Sequence, residues 1–372
     1  MSGRDRHGPP GEGQGSTGKR VTLREVADSL DLSPATVSLV LNRSPVAASI
    51  PPATQKRVFA AAEKLGYRPN ILARSLRSQR SFSIGVVVPE ISEGYASGIL
   101  SGIEDHLMGS GYFYLVASHR SKADLLDEYL YLLKERLVEG FILVSTPIEE
   151  PPGLPAVAVA GHRSLEGVTN VVLDHDRAAH LALSHLADLG HRRIALFKGH
   201  PQSADTEDRW QAIRRATRSL GLVIHPELTL QLGGEALDRA FSPDEGYQEG
   251  YAYGRLLLDR KADFTALFAF NDVSAIGAMR AFLDSGLAVP GDVSVLGFDD
   301  IHGAGFQNPG LTTVRQPLRA MGTAAARILL ERLAGASHNG PVTITPELIV
   351  RGSTAPATAR PRRRDSSDGD GE

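Results

Sequence analysis

Several polar residues stand directly after apolar stretches that have the length and composition of buried β-strands. Glu90 and Tyr95 follow IGVVVP, Asn271 follows ALFAF, and Asp299 follows VSVLGF. In an open parallel sheet, ligands bind beyond the carboxyl ends of the strands. Carboxylate and amide groups hydrogen-bond well to hydroxyl groups. These positions predict a site for a small polar ligand, although Asn271 and Asp299 could instead cap following helices, as we expect Asp300 to do.

The sequence gives weaker support for a metal site or a catalytic site. The densest set of possible metal ligands is Asp174, His175, Asp176 and His180. The five-residue spacing of the two histidines differs from the four-residue spacing of zinc-binding helices, and Asp174 is predicted to cap a helix. The chain has no cysteine and no serine in a nucleophile-elbow motif. We therefore predict no metal, no cofactor and no enzymatic activity.

The N-terminal 18 residues are rich in Gly and Pro and are predicted to be a disordered tail. Residues 13–19 read G-x-x-x-x-G-K, but Arg20 stands where a phosphate-binding loop needs Ser or Thr, and no strand precedes the motif. The start of the chain lacks the apolar core of a secretory signal, and no apolar run has the length of a membrane span. These features predict a cytoplasmic protein that does not enter a membrane.

Apolar strands alternate with amphipathic helices from residue 81 to residue 355, which predicts an α/β fold with parallel sheets. The pattern restarts near residue 190, so we predict two doubly wound lobes in tandem. Lobe 1 is predicted to comprise residues 81–189 and 318–344, and lobe 2 residues 190–317 and 345–355. The polar positions that follow the strands would then face a cleft between the lobes.

The segment Val21–Arg80 has a different pattern, that of short helices. Thr22 and Glu25 are spaced as a capping box, and Ser33 followed by Pro34 is a typical helix start. Two short helices joined by two residues predict a helix-turn-helix motif, with a third helix at 52–65 bracing it. On periodicity alone, an ordinary helical hairpin remains an equal alternative. The predicted second helix buries Val37, Val40 and Leu41 and directs outward Ser33, Pro34, Ala35, Ser38, Leu39 and Asn42.

Charge favours the DNA-binding interpretation of this segment. Residues 19–80 contain eleven Lys or Arg and four Asp or Glu, a net charge of +7, whereas the whole chain has a net charge of −3. A basic module attached to an acidic body is typical of nucleic-acid-binding proteins. The basic residues after Pro69 predict a short helix that orders on DNA or against a second copy, with a basic linker as the alternative.

Three motifs make the interpretation specific. The chain reads V-T-L-x-x-V-A, then S-x-x-T-V-S-x-V-L-N, then L-G-Y-x-P-N-x-x-A-x-x-L. These motifs resemble the LacI/GalR family of bacterial transcription regulators, and the resemblance extends from Val21 to Ser353. It implies a helix-turn-helix domain at 19–68, a hinge helix at 69–80, and an effector-binding core at 81–355 that is shared with periplasmic sugar-binding proteins. Residues 356–372 would be a second disordered tail.

The same resemblance implies roles for individual residues of the DNA-binding region. Pro34, Ala35 and Leu39 match base-reading positions, and Ala73 and Leu76 match the minor-groove contact and wedge of the hinge. Leu39 departs from the Arg usual in the family, and the segment 43–51 is longer than the usual turn. The backbone-contacting positions are Ser33, Thr36, Ser38 and Asn42. We add to this interface Thr22, Arg43, Asn70 and Arg77.

In the core, the resemblance implies ligand contacts for Arg209, Phe241, Asn271, Asp299 and Gln316. Ala212 and Ile213 replace the Gly-Phe that usually follows the arginine. Core packing is the alternative for the aromatic position, and helix capping is the alternative for Asn271 and Asp299. The predicted function is a repressor that binds a palindromic operator as a homodimer and responds to a small polar effector, most simply a sugar.

Two other classes of protein remain as alternatives. A pure sugar-binding receptor would need no basic N-terminal segment, and an enzyme on the same fold would need a catalytic set of residues. Binding of a palindromic duplex would separate the regulator from both.

Overall fold

The computed structural model describes residues 21–42, 44–67, 80–91, 94–161, 163–235, 237, 245–338 and 340–358. The chain divides into two compact units with a boundary between Ser81 and Phe82, here named the head and the core. Several predicted positions lie outside the described residues: the N-terminal tail, most of the predicted hinge helix and of the C-terminal tail, and the residues Arg43, Asn70, Ala73, Leu76, Arg77 and Phe241.

The head contains the three helices that the sequence predicts. They are α1 (Leu23–Asp28), α2 (Pro34–Leu41) and α3 (Pro52–Leu65), with a 3₁₀ turn at Pro45–Ser49 in the long connection. The capping box is confirmed, because the Thr22 N–H donates to Glu25 Oε2 at 2.6 Å and the Glu25 N–H donates to Thr22 Oγ1 at 3.2 Å. Ser33 Oγ accepts from the Thr36 N–H at 3.0 Å and begins α2 as predicted.

A small apolar core joins these helices through Val26, Ala27, Val37, Val40, Val58 and Ala62. Two side chains differ from the prediction. Ser38 was predicted to face outward, but it is only 8% exposed and accepts a hydrogen bond at 3.1 Å from the Asn42 amide. The apolar positions of the third helix were expected to pack against the first two, but Leu65 is 38% exposed, since it is the last residue of α3 and Gly66 ends the helix in a left-handed conformation (φ 68°).

Lobe 1 of the core is a six-stranded parallel sheet with the strand order β11-β5-β4-β3-β1-β2. Helices cover both of its faces, and its last helix and strand come from late in the chain. Its elements are β1 (Ser83–Val88), α4 (Gly94–Gly109), β2 (Phe113–Ser118), α5 (Ala123–Glu135), β3 (Gly140–Val144), β4 (Ala156–Val159), β5 (Val168–Leu173), α10 (Leu318–Leu333) and β11 (Val342–Ile344).

Lobe 2 repeats this arrangement in a second sheet with the order β12-β10-β9-β8-β6-β7, in which β12 pairs antiparallel with β10. Short 3₁₀ turns at Pro226–Leu228 and His302–Phe306 complete it. Its elements are α6 (His175–Asp188), β6 (Ile194–Lys198), α7 (Thr206–Ser219), β7 (Thr229–Gln231), α8 (Gly246–Asp259), β8 (Ala266–Phe268), α9 (Asp272–Asp284), β9 (Ser294–Asp299), β10 (Thr312–Arg315) and β12 (Glu347–Ile349).

Helix α6 corrects the predicted lobe boundary. The prediction placed it at the end of lobe 1, but its apolar stripe packs in lobe 2. Ala178, Ala182 and Leu183 share one buried cluster with Ala212 of α7 and Phe298 of β9. The boundary therefore lies near residue 174 rather than 189. The chain returns to lobe 1 between β10 and α10 and crosses again between β11 and β12, close to the predicted range ends at residues 317 and 344.

Each lobe contains one helix pair in which glycines allow the backbones to touch. In lobe 1, a Cβ on Gly322 of α10 would lie 2.0 Å from the Ile99 carbonyl oxygen of α4. In lobe 2, a Cβ on Gly277 of α9 would lie 2.1 Å from the Tyr247 carbonyl oxygen of α8. The two lobes therefore use the same packing device at different places, since α4 follows the first strand of its lobe whereas α8 follows the second. Among the described residues, no helix has the length and apolar character needed to cross a membrane.

Candidate functional site

A cavity of about 120 Å³ lies between the two lobes of the core. Lobe 1 contributes Glu90 and Tyr95 to its lining, and lobe 2 contributes Arg209, Asn271 and Asp299, so five of the seven predicted ligand residues line one cavity. The cavity is smaller than the roughly 300–1,000 Å³ of drug-sized ligand sites. Its size and polar lining suit a compact molecule with several hydrogen-bonding groups.

Arg209 is the only arginine in the described lining, and it is 4% exposed. Its guanidinium lies between the rings of Phe298 and Phe270, with the central carbon 3.8 and 4.2 Å from the two ring centres. Nη1 donates to the Phe270 carbonyl at 2.6 Å, and Nη2 pairs with Asp205. The side chain is therefore fixed in place by hydrogen bonds from both terminal nitrogens, and Nε is a buried donor without a partner among the described residues.

Asp299 ends β9 and has a backbone φ of 112°, a conformation that favours glycine. Its Oδ1 accepts from Gln316 Nε2 at 2.7 Å, and Gln316 is itself 3% exposed and outside the cavity lining. Burial raises the pKa of Asp299 well above its usual range, although the charge of Arg209 opposes the shift. Gln316 thus orients Asp299, while Asp299 faces the cavity.

The helix-capping predictions have different outcomes for Asn271 and Asp300. Asn271 does cap α9, because its Oδ1 accepts from the Ser274 N–H at 2.9 Å and from the Ser274 hydroxyl at 2.7 Å. It also lines the cavity, which leaves its amide nitrogen as the group for a ligand. The expectation that Asp300 caps a helix is wrong. Asp300 pairs with Arg315 at 2.7 Å and with Arg351 at 2.6 Å.

Tyr95 is the principal aromatic contribution of lobe 1 to the cavity. Its hydroxyl accepts from Ser145 Oγ at 3.3 Å. Burial, followed by the nearby charge of Asp205, raises the pKa of Tyr95 above its usual value. The phenol is therefore neutral and can donate its own proton to a ligand acceptor.

Three charged residues of the lining were not predicted from the sequence. Asp205 lies four residues, or about one helical turn, before Arg209, and this spacing could have indicated the ion pair between them. His200 lies just beyond the carboxyl end of β6, where the strand-end rule also applies. Its Nε2 lies 2.7 Å from Glu249 Oε2, and the other oxygen of Glu249 accepts from the Gly233 N–H at 2.7 Å. Nothing local to the sequence around Glu249, in α8, indicates this role.

A second buried carboxyl group stabilises the turn next to the site. Asp272 is fully buried and accepts from the Thr313 hydroxyl at 2.6 Å and from the Ile301 N–H at 2.8 Å. Burial raises its pKa from 3.8 to about 7. It ties α9 to β10 and to the turn that follows Asp299, and so helps to hold that turn in its unusual conformation.

The predicted capping role of Asp174 is confirmed, since its Oδ1 accepts from the Arg177 N–H at 2.9 Å at the start of α6. The neighbouring His175 places Nε2 3.9 Å from Asp205 Oδ2. Within the described ranges, no three His, Asp or Glu side chains are arranged to hold a metal ion.

On the head, α2 and its flanks form a polar surface. Ser33, Pro34, Ala35 and Asn42 are exposed, and Thr36 and Leu39 are half-buried. Asn42 Nδ2 donates to the Ser38 carbonyl at 2.8 Å, so Ser38 and Asn42 together stabilise the end of α2. Thr22 is exposed at the start of α1. The exposed side chains of this surface are uncharged and mostly small.

Comparison with known proteins matches both units to protein families. Residues 22–70 match the model described as bacterial regulatory proteins, lacI family, and residues 183–354 match the periplasmic binding protein-like domain. The HTH-type transcriptional repressor PurR of Haemophilus influenzae is 31% identical over 345 residues, which cover 89% of this chain and 98% of PurR. The chain belongs to the LacI family of bacterial transcription regulators. Its relatives are DNA-binding transcriptional repressors and not enzymes.

Solved structures of the LacI family show the same architecture. The Lac repressor dimer bound to operator and the anti-inducer ONPF has a TM-score of 0.76 and 26% identity, and the match covers 91% of this chain and all of that one. A complex of the regulator CelR with cellobiose has a TM-score of 0.65 and 30% identity, and the match covers 90% of this chain and all of CelR. A LacI-family regulator from Enterococcus faecium with bound ribose has a TM-score of 0.64 and 28% identity, with 74% of this chain and all of that chain covered.

Proposed function

We propose that this LacI-family protein is a cytoplasmic repressor that binds a palindromic operator as a homodimer and is controlled by a small polar effector, a sugar or a sugar derivative. The observation that carries the proposal is the cavity lined from both lobes, in which Tyr95 and Glu90 face Arg209 and Asp299. A ligand held by both lobes has different affinities for the open and closed arrangements of the core. Such a difference is the requirement for an effector to change DNA affinity.

The sugar assignment is supported by the donor and acceptor groups of the cavity. Carboxyl, amide, hydroxyl and guanidinium groups can grip adjacent hydroxyl groups, and Phe270 offers an apolar face to a ring. Two structural relatives were solved with cellobiose and with ribose. The expected coupling between effector and operator is about 1–3 kcal/mol.

The dimer assignment is supported by the size of the recognition surface. Helix α2 has eight residues and exposes few of them, and one such helix reads too few bases for a specific site. A homodimer with roughly six to ten phosphate contacts should lose affinity by orders of magnitude between roughly 50 and 200 mM salt. The Lac repressor structure named above is likewise a dimer on its operator.

The test begins with selection of binding sites from randomised duplexes, followed by titration of the selected duplex with and without sugars. We expect a palindromic site, two chains per duplex, strong salt dependence, and release or tightening by at least one sugar. The matched control is a duplex with one half-site scrambled. Tight binding of a single chain, or equal affinity for the scrambled duplex, would contradict the proposal.

A further inference from the structure

The lining of the cavity contains more carboxyl groups than cationic groups. Within the part of the chain that the structure describes, Glu90, Asp205, Glu249 and Asp299 line it, against a single arginine, Arg209. His200 is the one further group that can carry a positive charge. A neutral ligand would leave this imbalance in place, whereas a cationic ligand would reduce it.

Two of these carboxyl groups already have a partner of opposite or potentially opposite charge. Asp205 pairs with Arg209, and Glu249 lies 2.7 Å from His200 Nε2. Asp299 differs from them, because it accepts a hydrogen bond from the neutral amide of Gln316 at 2.7 Å, and within the described ranges no cation lies within ion-pair distance of it. A carboxyl group that is 4% exposed and lacks such a cation is the natural anchor for a positive group on the ligand.

Arg209 supplies the second, independent indication of what the ligand carries. It is 4% exposed and lines the cavity, its other two nitrogens each make one hydrogen bond within the protein, and its Nε has no partner among the described residues. A buried guanidinium N–H of this kind requires an acceptor oxygen. The ligand therefore needs an acceptor such as a hydroxyl oxygen close to its cationic group, and it must be compact to fit about 120 Å³.

Resting on the proposed function, we propose that the effector is an amino sugar, a polyhydroxylated ring with one ammonium group, with its ammonium on Asp299 and a neighbouring hydroxyl oxygen accepting from Arg209 Nε. The raised pKa of Asp299 agrees with this assignment, because burial disfavours a charge that an ammonium group would stabilise.

The experiment is calorimetric titration of the full-length protein with three pairs of probes that differ only in one group. The pairs are glucosamine with glucose, galactosamine with galactose, and mannosamine with mannose, at matched pH and ionic strength. We expect at least one amino sugar to bind on the order of 10- to 100-fold more tightly than its hydroxyl counterpart, the range typical of a charged hydrogen bond in a buried site.

The variant Asp299→Asn keeps the shape of the side chain and removes its charge. The preference for the amino sugar should fall to about one, because the neutral amide no longer favours an ammonium group over a hydroxyl group. A far-UV circular dichroism spectrum like that of the wild type shows that the variant is folded. The matched control is Asp263→Asn, the same change at a carboxylate of lobe 2 whose side chain is 73% exposed. It should keep the full preference.

The failure of this inference can be distinguished from the failure of the proposed function by measuring operator binding in parallel. Neutral sugars that bind as tightly as their amino counterparts, and that change operator affinity, overturn the amino-sugar assignment alone. A preference that persists in Asp299→Asn overturns the role of Asp299. If no probe of either kind binds, the amino-sugar assignment is overturned, and unchanged operator affinity with every sugar then contradicts the proposed function as well.

Discussion

Lobe 1 and lobe 2 have sheets with equivalent strand orders, yet they line the cavity between them with different chemistry. Lobe 1 contributes one carboxylate, one phenol and the hydroxyl groups of Ser121 and Ser145. Lobe 2 contributes the arginine, the histidine and the other three carboxyl groups. The same fold therefore serves two roles, and we infer that lobe 2 provides most of the affinity while lobe 1 completes the site on closure.

The lobes also differ in their buried acids. Asp272 and Asp299 stand in lobe 2 at the ends of neighbouring strands, and both have raised pKa values because they are buried. Their unfavourable burial persists because hydrogen bonds from Thr313, Ile301 and Gln316 hold them. Corresponding strand ends of lobe 1 carry Thr146, which donates to the Val144 carbonyl at 2.8 Å, and no buried acid among the described residues. The buried acids near the cavity are therefore a feature of lobe 2 in the part of the chain that the structure describes.

The largest effect is expected from Arg209→Ala, which removes the fixed cation from lobe 2. The variant should lose effector binding by more than about 100-fold, because it leaves Asp205 buried without its guanidinium partner and removes the ligand donor. Calorimetry and operator titration measure the loss. The control is Arg215→Ala on the same helix, whose side chain is 57% exposed and pairs with Asp176 at the surface. An unchanged response in Arg209→Ala would show that the charged lining of lobe 2 is not the binding surface.

The next effect concerns the close helix packing at glycine residues that the two lobes have in common. Gly322→Ala in lobe 1 and Gly277→Ala in lobe 2 should each reduce the free energy of unfolding by about 1–3 kcal/mol, because the added methyl would lie about as close as 2 Å to a backbone oxygen of the facing helix. Chemical denaturation measures both losses. Gly109→Ala, at the end of α4, is the control because no atom lies within 4 Å of its added Cβ. If either variant behaves like this control, the lobes do not share the packing device.

The last effect is a pH dependence of stability to which Asp272 of lobe 2 should contribute. Burial raises the pKa of Asp272 from 3.8 to about 7. Between these pH values the unfolded chain has released its proton while the folded chain still holds it, so the folded state loses stability as pH rises across this window. The Tm of the wild type should therefore fall more between about pH 4 and 7 than that of Asp272→Asn. Asp127→Asn, exposed on α5 of lobe 1, should keep the wild-type profile, and identical profiles for all three proteins would contradict the assignment.

Much of the local structure follows from residues that lie close together in the chain. The capping pairs Thr22 with Glu25 and Ser33 with Thr36 begin their helices where their spacing predicts, because a cap joins groups three residues apart. Alternation of apolar strands with helices likewise predicted the two parallel sheets, and the strand-end rule selected Glu90 and Asp299. The short strands β5 and β7 were not predicted, since their partly buried residues give a weaker apolar signal.

Tertiary packing alone decided the remaining features. Helix α6 has an apolar stripe that suits either sheet, and only its contacts with α7 and β9 assign it to lobe 2. Gln316 reaches Asp299 rather than the cavity because β10 lies beside β9, and Glu249 reaches His200 from a helix about fifty residues later. Propensities and caps depend on neighbours in the sequence, so the sequence by itself determines elements, periodicity and strand-end chemistry. Which side chains meet across those elements depends on how the sheets and helices pack, and this determines the charge of the cavity.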